Sequence, residues 1–142
     1  MVDDTDMPDL EALSQRPRPP RAQDTVDLEH IHARAQHAAR AAVDVKAEDV
    51  RVLDMHELVS YTDYLVLCTG RNTRLTRRIM EEVGFKLKEE YGIIADSTEG
   101  SASGEWILLD YLDFMVHIFT PEARDFYRLD NLWKQAPVEV IS

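Results

Sequence analysis

The chain has 142 residues, with 27 acidic and 16 basic side chains and a formal charge of −11 at pH 7. That length fits one domain with its own hydrophobic core, and the single cysteine excludes a disulfide framework and any cysteine-based zinc site. No apolar run reaches the roughly 18 residues of a membrane span, and the acidic start fits neither a secretory signal nor a transit peptide. We expect a cytoplasmic protein that attracts basic proteins and repels nucleic-acid phosphates.

Residues 1–24 differ in composition from the rest of the chain. They hold four of the six prolines, and their six acids and three bases give a net charge of −3. The run from Arg16 to Arg21 contains three of these prolines and suits neither a helix nor a sheet ladder. These residues are predicted to form a disordered, proline-rich acidic tail; the alternative is a proline-rich docking peptide.

A helix and two strands are predicted next. Asp24 or Thr25 caps a helix whose apolar residues share one face: Leu28, Ile31, Ala35, Ala38, Ala39 and Ala42. Strands follow at residues 50–53 and 64–68. The second strand is apolar on both faces, which is typical of the centre of a sheet.

A long second helix is predicted after a turn. Asn72 or Thr73 caps it, and Gly92 ends it after Tyr91. Its apolar stripe has four-residue steps: Leu75, Ile79, Val83 and Leu87. A strand is predicted to begin at residues 93–95, so this helix would connect two parallel strands by a right-handed crossover.

The C-terminal part is predicted to contain a hairpin and a helix. After a polar loop at residues 96–104, strands at 106–110 and 114–119 are joined by a short turn. Thr120 then caps a helix with proline at its first position and an acid at its second. The predicted fold is α/β, a mixed sheet of about five strands with helices packed on it, in the order α-β-β-α-β-β-β-α.

One pattern is similar to a nucleotidyltransferase site. There a Gly-Ser turn holds phosphates and two carboxylates on one strand face hold magnesium; the counterparts here are Gly100-Ser101, Asp110 and Asp113. Carboxylates that share a strand face are two residues apart, whereas Asp110 and Asp113 are three apart across a turn. We therefore predict hairpin acids, with no catalytic residue, no metal ligand and no cofactor.

The histidines and the cysteine also fail to form a site. His30 and His37 lie on a predicted solvent face, and His32 cannot point at the same ion as His30. His117 alternates with apolar residues on a buried strand, so a core histidine is favoured over a proton-transfer role. Cys68 lies in an apolar strand, which predicts an inert thiol.

Four arginines cluster where the second helix begins: Arg71, Arg74, Arg77 and Arg78. One interpretation is contact with an anionic surface such as RNA. The favoured one is pairing within the helix, of Arg77 with Glu81 and of Arg78 with Glu82. Phe85 points away from the apolar stripe, towards either a dimer or partner contact or a second packing surface within the domain.

Aromatic and acidic residues are concentrated in the C-terminal third. Trp106 shares a strand face with Leu108 and Asp110, and large side chains crowd the last helix and its exit: Phe126, Tyr127, Leu129 and Trp133. Large aromatics beside acids suit a hot-spot patch for a basic protein partner. For each aromatic taken alone, a place in the core is favoured.

Several separated motifs agree in order and spacing with one known family. They are Thr62-Asp63-Tyr64-Leu65-Val66-Leu67-Cys68-Thr69-Gly70, Glu99-Gly100, Trp106-Ile107-Leu108-Leu109-Asp110, Asp113, Val116-His117-Ile118-Phe119 and Tyr127-Arg128-Leu129-Asp130-Asn131-Leu132-Trp133. Together they resemble the ribosomal silencing factor family (Iojap-like proteins), which implies a nucleotidyltransferase-like fold without transferase activity. The resemblance assigns residues 25–133 to the family's domain. Residues 134–142 are then a C-terminal extension, which either adds a strand or stays loose.

The resemblance also implies a function. It implies a translational repressor that binds the large ribosomal subunit through ribosomal protein fourteen, sterically blocks the small subunit and slows translation under nutrient limitation. The residues that would face the ribosome by this resemblance are Trp106, Asp110, Asp113, His117, Tyr127, Leu129 and Trp133. A homodimer off the ribosome is a further implication, and neither DNA nor a membrane is an expected partner.

Two departures from the family pattern are visible. Leu112 stands where the family usually has glycine before the second hairpin acid, and the proline-rich tail has no family counterpart. Three other functions stay open at this point: a nucleotidyltransferase-like enzyme, a large-subunit assembly factor, and an adaptor that uses the tail.

Overall fold

In a computed structural model, residues 8–15 and 28–142 are described and form a mixed α/β fold. The helices are α1 (Leu10–Gln15), α2 (Leu28–Asp44), α3 (Thr73–Tyr91), α4 (Pro121–Tyr127) and α5 (Leu129–Leu132). The strands are β1 (Glu48–Asp54), β2 (Tyr64–Thr69), β3 (Ser97–Glu99), β4 (Trp106–Asp110), β5 (Phe114–Phe119) and β6 (Val138–Ile141). None of these helices is long and hydrophobic enough to cross a lipid bilayer.

The strands form one six-stranded sheet in the order β3-β4-β5-β2-β1-β6, which confirms the predicted mixed sheet and adds one strand. β2 and β5 pair in parallel, and the other neighbours are antiparallel. β3 therefore runs in the same direction as β2, as predicted for two strands joined by α3, although β5 and β4 lie between them. β2, β4 and β5 are buried along their whole length, because both faces of the sheet are covered.

One face of the sheet packs against α2 and α3. The buried residues of α2 are Ile31, Ala35, Ala38, Ala39, Ala41 and Ala42, and those of α3 are Thr76, Ile79, Val83 and Leu87. They join the side chains that the central strands direct to this face, such as Val66, Val116 and Ile118, in one cluster. The predicted apolar stripes of both helices are thereby confirmed as core, with Leu28 and Leu75 only partly buried.

The opposite face has shorter covering segments. Its buried cluster, here called the second core, joins side chains of β1, β2, β4 and β5 to Ala123 of α4 and Leu129 of α5. Four partly buried side chains pack against it: Leu10, Val59, Tyr127 and Trp133. Helices of six, seven and four residues are too short to be stable alone, so α1, α4 and α5 depend on these contacts.

Local signals end the helices where they were predicted. The Asn72 side chain accepts a hydrogen bond from the Leu75 amide at 2.9 Å, and Gly92 takes a left-handed φ of 68° after α3. The Thr120 hydroxyl accepts from the Ala123 amide at 3.3 Å, with Pro121 as the first residue of α4. These caps fix the start of the two helices that flank the C-terminal ends of β2 and β5.

The structure corrects two predictions and decides a third that was left open. Residues 93–95 form no strand; Ile94 is exposed, and β3 begins only at Ser97, opposite Asp110. The last helix is divided at Arg128, whose φ of 52° is left-handed. Residues 138–141 of the C-terminal extension form β6 beside β1, so this segment is part of the sheet.

Helix α1 lies within the segment predicted to be a disordered tail. Asp9 accepts hydrogen bonds from the amides of Glu11 and Ala12 at 3.1 and 3.2 Å, and Pro8 is buried. The sequence patterns do not predict this helix. The rest of the predicted tail, and the predicted caps Asp24 and Thr25, lie outside the described residues.

Candidate functional site

The seven predicted partner-binding residues fall into two groups. Four are buried, with at most 2 % of their surface exposed: Trp106, Asp110, His117 and Leu129. Three are partly buried: Asp113, Tyr127 and Trp133. In the free chain the first four side chains pack within the domain and offer almost no surface to a partner; direct contact of these residues with a partner stays a prediction.

Trp106 and His117 form a hydrogen-bonded pair in the interior. The Trp106 indole Nε1 donates to His117 Nδ1 at 2.9 Å, so the single proton of the neutral imidazole lies on Nε2. Burial lowers the pKa of His117 to about 3, and the ring stays neutral at physiological pH. The structure thus confirms a buried, hydrogen-bonded core histidine.

Asp110 and Asp113 lie at the turn of the hairpin, whereas Trp106 and Phe119 lie at its opposite end. The Asp110 carboxylate accepts from the Leu112 amide at 2.8 Å, and the Asp113 backbone carbonyl accepts from the Asp63 amide at 2.9 Å. Six residues of β5, at about 3.3 Å each, separate Asp113 from α4 by roughly 20 Å. In the described part of the chain, no three His, Cys, Asp or Glu side chains are grouped to hold a metal ion.

An aromatic stack connects the interior to the surface. The Trp106 ring lies 5.2 Å from Phe119 and 4.5 Å from Tyr127, measured between ring centroids. Tyr127 in turn contacts Phe126 edge to face at 5.0 Å. Phe126 is 77 % exposed, so a large apolar side chain stands in solvent on a rigid aromatic support.

The sequence analysis names Phe126 together with three other large side chains of this region. The spacing of the neighbouring residues also indicates that Phe126 is exposed. Ala123 and Tyr127 are four residues apart and face the second core together, so Phe126 points away from that face. Leu132 of α5 is also exposed, at 58 %. These two residues form an exposed apolar surface that the seven predicted partner-binding residues do not include.

Arg124 holds α4 in place from below. Its Nη1 donates to the Asp49 carbonyl at 2.6 Å and to the Thr69 hydroxyl at 2.9 Å. Its Nε and Nη2 donate to the two carboxylate oxygens of Asp130 at 3.1 and 2.8 Å. Burial opposes ionisation of Asp130, but the hydrogen bonds and charge of Arg124, with the charge of Arg51, hold its pKa below the usual value. One buried arginine thus ties α4 to β1, β2 and α5.

Helix α4 is a ridge between two clefts. One cleft of about 440 Å³ is lined by Glu48, Asp49, Thr69, Pro121, Arg124, Asp125, Arg128, Asp130 and Asn131. The other, of about 600 Å³, is lined by Arg71, Asn72, Thr73, Glu105, Thr120, Glu122, Ala123, Phe126 and Tyr127. We call residues 120–131 the α4 ridge. Six acids and three arginines line its two sides, and Arg124 is neutralised by Asp130, so the surroundings are negative.

The arginine cluster is divided by the structure. Arg78 pairs with Glu82 at 3.3 Å, as predicted. The predicted Arg77–Glu81 pair is wrong: Arg77 donates instead to the carbonyls of Ser101 and Ala102 at 3.1 and 2.6 Å and anchors the loop before β4. Arg71 and Arg74 are left exposed.

Two further predictions can be judged here. Burial raises the pKa of the Cys68 thiol to about 12, which confirms an inert cysteine. Phe85 is 58 % exposed, so it does not join a second packing surface among the described residues.

Comparison with known proteins gives one family. The model of the family described as "Ribosomal silencing factor during starvation" matches residues 28–142, which include the C-terminal segment placed outside the shared region above. Ribosomal silencing factor RsfS of Bacillus subtilis is 35 % identical over 101 residues, 71 % of this chain and 85 % of that protein.

Solved structures agree with this result. A crystal structure of a protein from Chromobacterium violaceum has a TM-score of 0.70 at 35 % identity and covers 73 % of this chain and 86 % of its own. One from Bacillus halodurans has a TM-score of 0.66 at 31 % identity, over 78 % of this chain and 99 % of its own.

Proposed function

Because this chain belongs to the ribosomal silencing factor family, we propose that it represses translation by associating with the ribosome. The finer proposal is that it binds the large subunit through ribosomal protein fourteen. It would sterically block the small subunit and so slow translation under nutrient limitation. Such a mechanism requires occupancy of a shared surface and no chemical turnover.

The observation that supports a docking surface is the exposed Phe126 on the α4 ridge. An aromatic side chain held by a neighbouring ring loses little conformational freedom on binding, which is typical of interface hot spots. Leu132 adds a second exposed apolar side chain on the adjoining helix, and the clefts on both sides can receive side chains of a partner. Tyr127 and Trp133, which the resemblance predicts as partner-binding residues, are partly buried and pack against the second core.

Charge supports a basic protein as the partner. The chain has a formal net charge of −11, and exposed acids such as Glu122 and Asp125 lie on the α4 ridge itself. Complementary charge speeds encounter with a basic ribosomal protein, whereas rRNA phosphates are repelled.

A nucleotidyltransferase reaction has less support. Asp110 is 2 % exposed, and its carboxylate holds the Leu112 amide, so it serves the hairpin turn. The relatives are named as silencing factors, in agreement with a regulatory role. The roles as assembly factor or adaptor, the homodimer and the cytoplasmic location stay predictions.

Co-sedimentation tests the proposal with a matched pair of variants. The full chain is run on gradients with isolated large subunits, with small subunits, and with both. It is expected to migrate with large subunits alone and to reduce the joined-ribosome peak. Phe126→Ala is expected to weaken large-subunit binding about tenfold or more, as for hot-spot residues, while Phe85→Ala, on α3, leaves it unchanged.

Each alternative outcome has a distinct meaning. A protein that stays at the top of every gradient refutes ribosome association. Binding that is lost in Phe85→Ala and kept in Phe126→Ala moves the interface to α3 and refutes the α4 ridge as the docking surface.

A further inference from the structure

Helix α1 packs on the same side of the sheet as the α4 ridge. Leu10 contacts the second core, the cluster against which Tyr127 and Trp133 also pack. Pro8 is buried beside it, and the Asp9 side chain caps the helix. The segment at residues 8–15 therefore covers part of the face from which the proposed docking surface rises.

This segment lies outside the family's domain. The family model begins at residue 28, so the second core and the α4 ridge lie within the matched residues, whereas α1 lies outside them. Apolar surface that α1 covers here would be open to a partner in a chain limited to the family's domain.

We propose that α1 and the large subunit compete for the face formed by the second core and the α4 ridge. The proposal rests on the proposed function. The occupant in the free protein is residues 8–15, held through Leu10, and the partner is the basic ribosomal protein proposed above. In such a competition, only the fraction of molecules with α1 displaced binds, so the apparent dissociation constant rises by the inverse of that fraction.

Its short length makes α1 suited to displacement. A six-residue helix has little stability of its own, so it is held by its packing.

The test uses Leu10→Ser in the full chain, with Leu10→Met as the conservative variant and Ala12→Gln as a control on the exposed side of α1. Leu10→Ser is expected to bind large subunits about tenfold more tightly, equal to about 1.4 kcal/mol, and the other two variants bind like the parent chain. Acrylamide quenching reports α1 independently of ribosomes. Trp106 is 1 % exposed, so Trp133, of the two tryptophans, accounts for the accessible fluorescence, and Leu10→Ser is expected to increase its quenching.

The outcomes separate this inference from the proposed function. Equal or weaker binding by Leu10→Ser overturns the competition, because α1 is then neutral or part of the docking surface. Unchanged quenching together with equal binding overturns the contact between α1 and the second core as well. If no variant binds large subunits, the proposed function fails, and the competition fails with it.

Discussion

Arg124→Met is expected to lower the free energy of unfolding by about 3 kcal/mol, because it removes a side chain that joins α4 to α5 and to two strands. The guanidinium is 9 % exposed and makes four hydrogen bonds, two of them to Asp130. Breaking a buried ion pair from one side costs about 3–5 kcal/mol when the other charge is left unpaired. Asp130 keeps a longer contact with Arg51 Nη1 at 3.5 Å and 28 % of its side-chain surface in water, which places the loss at the lower end of that range.

Urea unfolding followed by tryptophan fluorescence measures this loss. Arg74→Met is the matched control, because Arg74 is exposed on α3 and has no ion pair among the described residues; it is expected to change stability by less than about 0.5 kcal/mol. The double variant Arg124→Met/Asp130→Leu removes both charges and is expected to recover about 1–3 kcal/mol relative to the sum of the single losses. A loss in Arg124→Met no larger than in Arg74→Met, or the absence of coupling, would refute the reasoning.

Two further predictions concern the hairpin turn and the pH dependence of stability. Leu112 has a left-handed φ of 71°, so Leu112→Gly is expected to be more stable in urea than Leu112→Ala by about 1 kcal/mol, the reverse of the usual order; equal stability would contradict strain at this turn. The pKa of Asp130 lies below the usual 3.8 of an aspartate, so its contribution to stability is complete at neutral pH and declines as pH falls through 3.8 towards the folded value. Asp130→Asn is therefore expected to flatten the acid loss of the free energy of unfolding, while Asp125→Asn, on the exposed side of α4, keeps the slope of the parent chain.

The elements that the sequence predicts well have signals within a few residues. Asn72 and Gly92 mark both ends of α3, and Thr120 marks the start of α4, because caps and left-handed residues act on the adjacent backbone. Elements whose position depends on a distant partner were misplaced or left open. The apolar residues 93–95 resemble a strand, yet pairing with β4 begins only at the polar Ser97.

The site illustrates the same limit. Trp106 and His117 are aromatic and polar residues on strands, and sequence alone does not tell a covered strand face from an exposed one. The two residues are covered by the short helices α4 and α5, which the sequence analysis predicts as a single helix. Arg124 is a second example. Its neighbours in sequence do not predict that its guanidinium contacts Asp49 and Thr69, which lie more than fifty residues earlier.

The charge of the chain and the α4 ridge are expected to control different steps of the proposed binding. Long-range attraction between an acidic protein and a basic surface mainly raises the rate of association, and salt screens it over about 8–10 Å. A desolvated aromatic residue at the centre of an interface mainly slows dissociation. If Phe126 is that residue, added salt lowers the association rate of the parent chain and of Phe126→Ala by the same factor, while Phe126→Ala raises the dissociation rate at every salt concentration. If Phe126→Ala instead changed the association rate and the dissociation rate to the same extent, Phe126 would act through the fold of the ridge. Stopped-flow measurements of both rates over a series of salt concentrations distinguish these two cases.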